Sequence, residues 1–248
     1  MDNIEQNYED FISTVSHELR TPLTSIRGFS QTMLSSWDKL DDESKKKFLK
    51  IIEDQSNRLI HLVENMLSVT KLQGVNNHFV YNELDVKSVI EQVISIIKTQ
   101  YTTQVFEFEH NSNVPKIYVD KDKFQQILTN LIENSAKYST QVLKTLITTG
   151  INNNNVEIKI SNIGIAIAQE DYEKIFTKFA RIDNPLTRKV QGSGLGLYIT
   201  KSLVEKMRGE IYVESAQLEN NSELAQITFT LKFPILNIEE QARMKCNQ

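Results

Sequence analysis

Ser16-His17-Glu18-Leu19-Arg20-Thr21-Pro22-Leu23 sets an imidazole beside a carboxylate, with a hydroxyl one helical turn further on. An imidazole is a competent nucleophile near neutral pH when an adjacent carboxylate can take or orient its ring proton. Glu18 supplies that carboxylate, and Thr21 a hydroxyl that can position water. Apolar residues recur at threes and fours through Phe11, Val15, Leu19, Leu23, Ile26, Phe29 and Met33, the period of a helix with one buried stripe. At about 100° per residue from Phe11, the stripe spans roughly 0–120° and His17 falls at roughly 240°. Thr21 lies about 40° further round, so the two share the outward face. Pro22 is expected to bend the helix just beyond them. By residue type alone, a solvated surface histidine fits the same pattern.

A second group lies in Asn130-Leu131-Ile132-Glu133-Asn134-Ser135-Ala136-Lys137-Tyr138, where Asn130, Asn134 and Lys137 share a helix face. Two carboxamides and an ammonium beside an aromatic ring suit Mg²⁺, phosphate oxygens and a base. Plain solvation of a helix face produces such a row too. Further on, Gly192-Ser193-Gly194-Leu195-Gly196-Leu197 opens a helix and holds three of the chain's 8 glycines. Glycines there let backbone N–H groups approach phosphate, at a helix end that favours negative charge. Between the two groups, Phe176 and Phe179 read first as core residues. His61, His78 and His110 have no ligand-like neighbours, and no spacing suggests zinc.

These groups need elements to hold them. A second helix follows Trp37, capped by Asp41 or Asp42 with Glu43 in its first turn, and stops near Gly74. It carries Phe48, Ile52, Leu59, Leu62, Val63, Met66 and Val69. Two amphipathic helices cannot bury both stripes alone, which points to a dimeric four-helix bundle. Residues 75–78 read as a linker. Helices are then expected over 86–101 and 120–138, and from near Gly194. Strands are expected over 105–109, 117–119, 142–149, 156–161, 210–214 and 225–233, with 142–149 and 156–161 paired around residues 152–155. Helices with a run of antiparallel strands indicate an α+β sandwich. Residues 1–74 and 79–234 form the two expected domains, with a polar tail over 235–248.

The 248 residues are 40% hydrophobic and 24% charged with 4 prolines, an ordinary globular composition that excludes collagen-like and largely disordered chains. A net charge of −4 argues against a general nucleic-acid binder. The lone Cys246 excludes an intramolecular disulfide framework and a cysteine zinc site. No apolar run approaches the roughly 20 residues of a membrane span. The acidic start has no signal-peptide pattern.

His17-Glu18-Leu19-Arg20-Thr21-Pro22-Leu23 resembles the phosphoacceptor box of sensor histidine kinases and occupies the matching place on a helical hairpin. The resemblance implies His17 as phosphoacceptor and Glu18 as its base. It implies Thr21 as part of the Glu-x-x-Thr element used in dephosphorylating a response regulator. Residues 130–138 resemble the family's N box, implying Asn134 as Mg²⁺ ligand with Asn130 assisting, Lys137 meeting phosphate and Tyr138 near adenine. Gly192, Gly194, Leu195 and Gly196 resemble its second glycine box. Residues 175–183 resemble its F box, with Arg181 available to the terminal phosphate. The span 163–193 would then be a mobile lid over ATP. The resemblance covers residues 7–234. It implies an all-α hairpin, a four-helix bundle as a dimer, followed by a Bergerat-type two-layer ATP-binding sandwich. ATP and Mg²⁺, a homodimer through the hairpin and a response-regulator receiver domain go with it. The expected location is cytoplasmic, as part of a membrane-anchored receptor or as an organelle-soluble kinase.

The first glycine box departs from the family's Asp-x-Gly-x-Gly-Ile, because Asn162-Ile163-Gly164-Ile165-Ala166-Ile167 stands there. The family's aspartate accepts a hydrogen bond from the adenine amino group. Asn162 can still accept through its amide oxygen but loses charge assistance worth about 1 kcal/mol or somewhat more. ATP affinity is therefore expected to be weaker by roughly tenfold or more. Ala166, in place of a hinge glycine, is expected to be strained at positive φ. These two changes favour an alternative: a phosphatase-biased or regulatory dimer that binds the regulator and scarcely phosphorylates itself. An ATPase of the gyrase and chaperone kind would share the nucleotide fold but gives no reason for the string at His17.

Overall fold

The computed structural model describes residues 2–74, 78–140, 142–180, 192–219 and 221–236, with side chains apart from those of 2–11, 73, 221 and 222. The chain divides into two compact units, Met1–Thr70 and Lys71–Gln248.

The first unit is a hairpin of α1 (Asp2–Ser36) and α2 (Asp42–Gln73) joined through a 3-10 turn at Trp37–Lys39. α1 runs unbroken through Pro22. Asp41 caps α2, its carboxylate accepting the Ser44 N–H at 2.6 Å. Pro22 and Met33 on α1, and Leu62 and Val69 on α2, are buried. The Phe29 and Phe48 rings meet at 5.2 Å. Leu23 and Val63, expected within the buried stripes, are exposed instead. The cause is angular. Leu23 falls at roughly 120°, the edge of the α1 stripe, whereas Pro22 falls at roughly 20° and takes the interior position. Ile12 and Leu34 are exposed at roughly 100° and 140° on the same flank. Ile60, Val63 and Leu67 form a matching exposed flank on α2.

In the second unit, β1 (Tyr81–Leu84) pairs antiparallel with β3 (Ile117–Asp120) as a small two-stranded sheet. A five-stranded sheet is built of β2 (Val105–His110), β4 (Lys144–Asn152), β5 (Asn155–Ile165), β6 (Glu210–Leu218) and β7 (Asn221–Pro234), in the order β2-β4-β5-β7-β6. The sheet is mixed, correcting the expected antiparallel run: β2 and β4 are parallel. Their connection contains β3 and the helix α4 (Lys121–Tyr138), the long crossover that parallel pairing requires. β4 and β5 are joined by Asn153 and Asn154 at φ 46 and 61, a two-residue turn of the kind that suits strand twist.

α4 packs between α3 (Val86–Gln100) and α5 (Gly196–Lys206), and all three helices lie against the sheet. Asp85 caps α3 by accepting from the Lys87 and Ser88 N–H groups. Asp120 caps α4 at the Lys123 N–H, and its other oxygen accepts the Val80 N–H at 2.8 Å. Phe124, Ile127, Leu128, Leu131 and Ile132 on α4 are each 0% exposed. Phe124 meets Phe233 of β7 edge-on at 5.5 Å. Phe124→Ala is expected to destabilise the chain by about 3–5 kcal/mol. Ile151→Ala, at an exposed position, should stay within about 1 kcal/mol; chemical denaturation of both variants checks the contrast.

Candidate functional site

His17 and Thr21 are both exposed on α1. The Thr21 hydroxyl donates to the His17 carbonyl at 3.3 Å, so it lies against the helix one turn from the ring's own residue. Glu18 is turned inward, and Arg58 of α2 donates to its Oε2 at 3.2 Å. Both side chains are about four-fifths covered, at 22% and 21% exposed. Arg58 was not identified from sequence. The available signal was its place one turn before Leu62, at the margin of the α2 stripe, opposite an acidic residue at the margin of the α1 stripe. The other histidines lie elsewhere: His61 is exposed with Nδ1 3.5 Å from Glu64, and His110 Nδ1 bonds Thr149 Oγ1 at 2.8 Å. His78 is exposed.

In the second unit the apolar face of α4 is sealed in the core. Along its flank lie Asn130, Asn134 and Tyr138, half-buried, and Lys137, exposed. Asn130 Nδ2 donates to Thr200 Oγ1 at 2.7 Å, tying α4 to the second turn of α5. A side chain at Gly196 would overlap the Asn130 carboxamide, so glycine is what lets the two helices approach there. Thr200, four residues after Gly196, was also not identified from sequence. Gly194 has φ +68, and a Cβ on it would lie 2.7 Å from Phe179 Cα, so the glycine turn rests directly on the F-box backbone. Tyr138 lies between the other two glycines. A Cβ at Gly164 would be 2.8 Å from its carbonyl oxygen, and one at Gly192 would be 3.7 Å from its hydroxyl. N box, both glycine segments and the start of α5 are thus brought together.

Leu195 is fully buried, so its side chain belongs to the core, and its N–H donates to Ser193 Oγ at 3.3 Å. α5 opens with no side-chain cap and no acidic residue in its first turn. Its leading N–H groups can therefore serve an anion. Lys137 pairs with Glu133 at 3.3 Å, a half-exposed i,i+4 pair worth well under about 1 kcal/mol and readily exchanged for a phosphate. Burial, with the Glu133 charge second, pushes the nearby Tyr101 phenol up to about 12. The F box is held to α5 by Lys201, which pairs with Glu173 at 2.9 Å and lies over the Phe176 ring at 5.4 Å. Arg181 lies outside the described residues, as do 182–191 of the lid span and 237–248 of the tail.

Ala166 is not among the positive-φ residues, contrary to expectation. Its N–H donates to the Glu223 carbonyl at 2.9 Å, continuing the β5–β7 pairing past Ile165, and that extended path suits alanine. Asn162 is 6% exposed, and its Nδ2 has no hydrogen-bond partner. Among the described residues no three His, Cys, Asp or Glu side chains gather to hold a metal. Asn134 offers an amide oxygen, which suits Mg²⁺ as part of a shell completed by water and substrate phosphates. The orphaned donor at Asn162 and the uncapped start of α5 fit a nucleotide at this place.

The family model described as the His Kinase A (phospho-acceptor) domain matches residues 8–74. The one described as histidine kinase-, DNA gyrase B- and HSP90-like ATPase matches residues 119–235. The sensor histidine kinase WalK of Bacillus subtilis (strain 168) is 31% identical over 237 residues, covering 94% of this chain and 38% of that protein. The signal transduction histidine-protein kinase ArlS of Staphylococcus epidermidis is 32% identical over 240 residues, covering 96% and 51%. The chain thus spans between about a third and a half of the curated relatives it matches. Among solved structures, the Acinetobacter baumannii histidine kinase AdeS superposes with a TM-score of 0.66 at 26% identity, covering 89% of this chain and 98% of that one. Histidine kinase ThkA, solved in complex with response regulator protein TrrA, gives a TM-score of 0.71 at 26% identity, covering 92% and 61%. Among the described residues, no helix is long and apolar enough to cross a membrane.

Gly196→Ala should push the Asn130 carboxamide away from Thr200 and weaken Mg²⁺–ATP binding roughly tenfold. Gly150→Ala, where an added Cβ meets nothing within 4 Å, should leave binding unchanged. Displacement of a fluorescent ATP analogue measures both.

Proposed function

The chain belongs to the sensor histidine kinases, and on that premise we propose that it phosphorylates itself on His17 from ATP and passes the phosphoryl group to an aspartate of a response regulator. The observation that carries this reading is the exposed His17 ring, on the face of α1 away from the hairpin interior, with Glu18 and Thr21 beside it. Residues 1–74 serve as the dimerisation and phosphotransfer hairpin, and residues 79–234 as the ATP-binding domain.

In the first step a His17 ring nitrogen attacks the γ-phosphorus. A P–N bond forms, the bond to the β-phosphate oxygen breaks, and ADP leaves. Glu18 orients the ring and takes its proton, and Arg58 fixes where that carboxylate can stand. Asn134, with Asn130 assisting, would hold Mg²⁺, which supplies charge neutralisation at the phosphate oxygens. Lys137 leaves Glu133 for phosphate, Arg181 serves the terminal phosphate, and the uncapped start of α5 receives the phosphate chain with Gly192, Gly194 and the Leu195 and Gly196 backbone. Tyr138, Asn162 and Gly164 border the base. In the second step the P–N bond breaks as an aspartate oxygen bonds phosphorus.

A receiver domain docks on the outward face around His17; the structure of the similar ThkA with TrrA supports a partner of this kind. A second copy covers the apolar flanks at Ile12, Leu23 and Leu34 and at Ile60, Val63 and Leu67. A reaction fed by ATP goes with a cytoplasmic or organelle-interior location. The uncharged Asn162 favours a second reading, a phosphatase-biased dimer with weak ATP binding. The unstrained Ala166 removes one of its two supports.

Incubation with γ-labelled ATP and Mg²⁺ should place an acid-labile, base-stable label on the wild type and none on His17→Gln; an unlabelled wild type would leave the phosphatase-biased reading in its place. Arg58→Ala should slow labelling roughly tenfold without changing ATP affinity, because Glu18 loses its anchor, and Arg58→Lys should recover most of the rate. Equal rates in all three would remove Arg58 from the mechanism.

A further inference from the structure

We infer that Asn162 opens the base end of the nucleotide site to 6-oxopurines, so that inosine triphosphate binds there on terms comparable with ATP; this rests on the nucleotide-site reading above. Along β5 the inward row runs Val156, Ile158, Ile160, Asn162 and Gly164, and the three residues leading it are each 0% exposed. An amide continues an apolar row at a position where an unpaired polar group is unfavourable. Its Nδ2 has no partner. Thr145, across the strand pair from Asn162, does not serve it: the Thr145 hydroxyl is already engaged by Ser135 Oγ at 3.0 Å and by Gln104 Nε2 at 3.0 Å. The Asn162 Nδ2 instead lies 3.1 Å from the point that a Cβ on Gly164 would occupy, beside the Tyr138 carbonyl. The buried donor thus lies against Gly164 and the Tyr138 carbonyl, at the place proposed above for the base.

The chemistry of the amide decides what it can read. Adenine offers an N6–H donor beside the N1 acceptor, and hypoxanthine offers the reverse, an O6 acceptor beside an N1–H donor. The carboxamide carries one donor nitrogen and one acceptor oxygen on a terminal torsion with broad, two-fold freedom. A half-turn about that torsion serves either purine edge. An acceptor-only carboxylate at the same place would serve N6–H and repel O6. A site that discriminates by a hydrogen bond does so strongly because the wrong partner leaves a buried group unpaired. Asn162 leaves nothing unpaired with either base.

The test is competition by ATP and by inosine triphosphate against a fluorescent ATP analogue, with Mg²⁺, on the full chain and on Asn162→Asp. The wild type should bind the two within about tenfold of each other. Asn162→Asp should widen the ratio in favour of ATP by about tenfold or more, through tighter ATP and weaker inosine triphosphate. A wild-type preference for ATP beyond about tenfold, or an unchanged ratio in the variant, overturns the inference. The wild-type ratio stands on its own if Asn162→Asp fails to fold. Displacement by ATP alone defeats this inference and leaves the nucleotide site intact, whereas displacement by neither defeats both.

Discussion

The burial of one face of α4 is the constraint on which the proposed nucleotide site depends. Phe124, Ile127, Leu128, Leu131 and Ile132 leave no exposed surface. Sealing five such side chains is worth on the order of 10 kcal/mol. The hydrogen bond from Asn130 to Thr200 is worth about 1 kcal/mol by comparison. Packing therefore sets the rotation of the helix, and the polar contacts refine it. A rotation by one residue, about 100°, would carry Asn130, Asn134 and Lys137 off the site and drive polar atoms into the core.

What surrounds α4 is fitted to it through missing side chains more than through added ones. Gly196 admits the Asn130 carboxamide, Gly164 admits the Tyr138 carbonyl, and Gly194 at positive φ lets the turn rest on Phe179. Each glycine forgoes packing and loses more backbone freedom on folding than another residue would. The gain is a close approach of backbone groups and amides that larger residues would not allow. Asn162 fits the same logic on the sheet side, a polar group placed where an apolar one would be more stable. Departures from stability rules at buried positions mark the places where function has been favoured over packing.

Much of this was legible in the sequence because it is local. The three-and-four spacing along α1, α2 and α4, the caps at Asp41 and Asp120, and the asparagine turn between β4 and β5 each follow from a few neighbouring residues. The rest was set by contacts distant in sequence. β1 is four residues with a polar middle, and it forms because β3, more than thirty residues on, supplies its partner. The parallel pairing of β2 with β4 depends on how the intervening α4 crosses. Arg58 and Thr200 acquire roles from residues 40 and 70 positions away. Ala166 escapes strain because β7 receives its N–H in extended geometry, which no local pattern announces.

The hairpin poses the complementary problem of keeping one face open while another is closed. Taken alone it leaves Ile12, Leu23 and Leu34 bare on a flank at roughly 100–140° around α1. Water-exposed leucine and isoleucine rows on both helices favour a covering partner, since each such side chain is worth about 1.5–3 kcal/mol when fully buried. His17 lies at roughly 240°, about 100° or more from that flank. A second copy laid on the flank would thus leave the histidine uncovered. Glu18 falls between, at roughly 340° on the margin of the interior, which is why Arg58 can reach it from α2. The helical period alone separates the bare flank, the carboxylate that is anchored and the ring proposed to react, so a substitution on the flank and one at Arg58 would act on different properties of the hairpin.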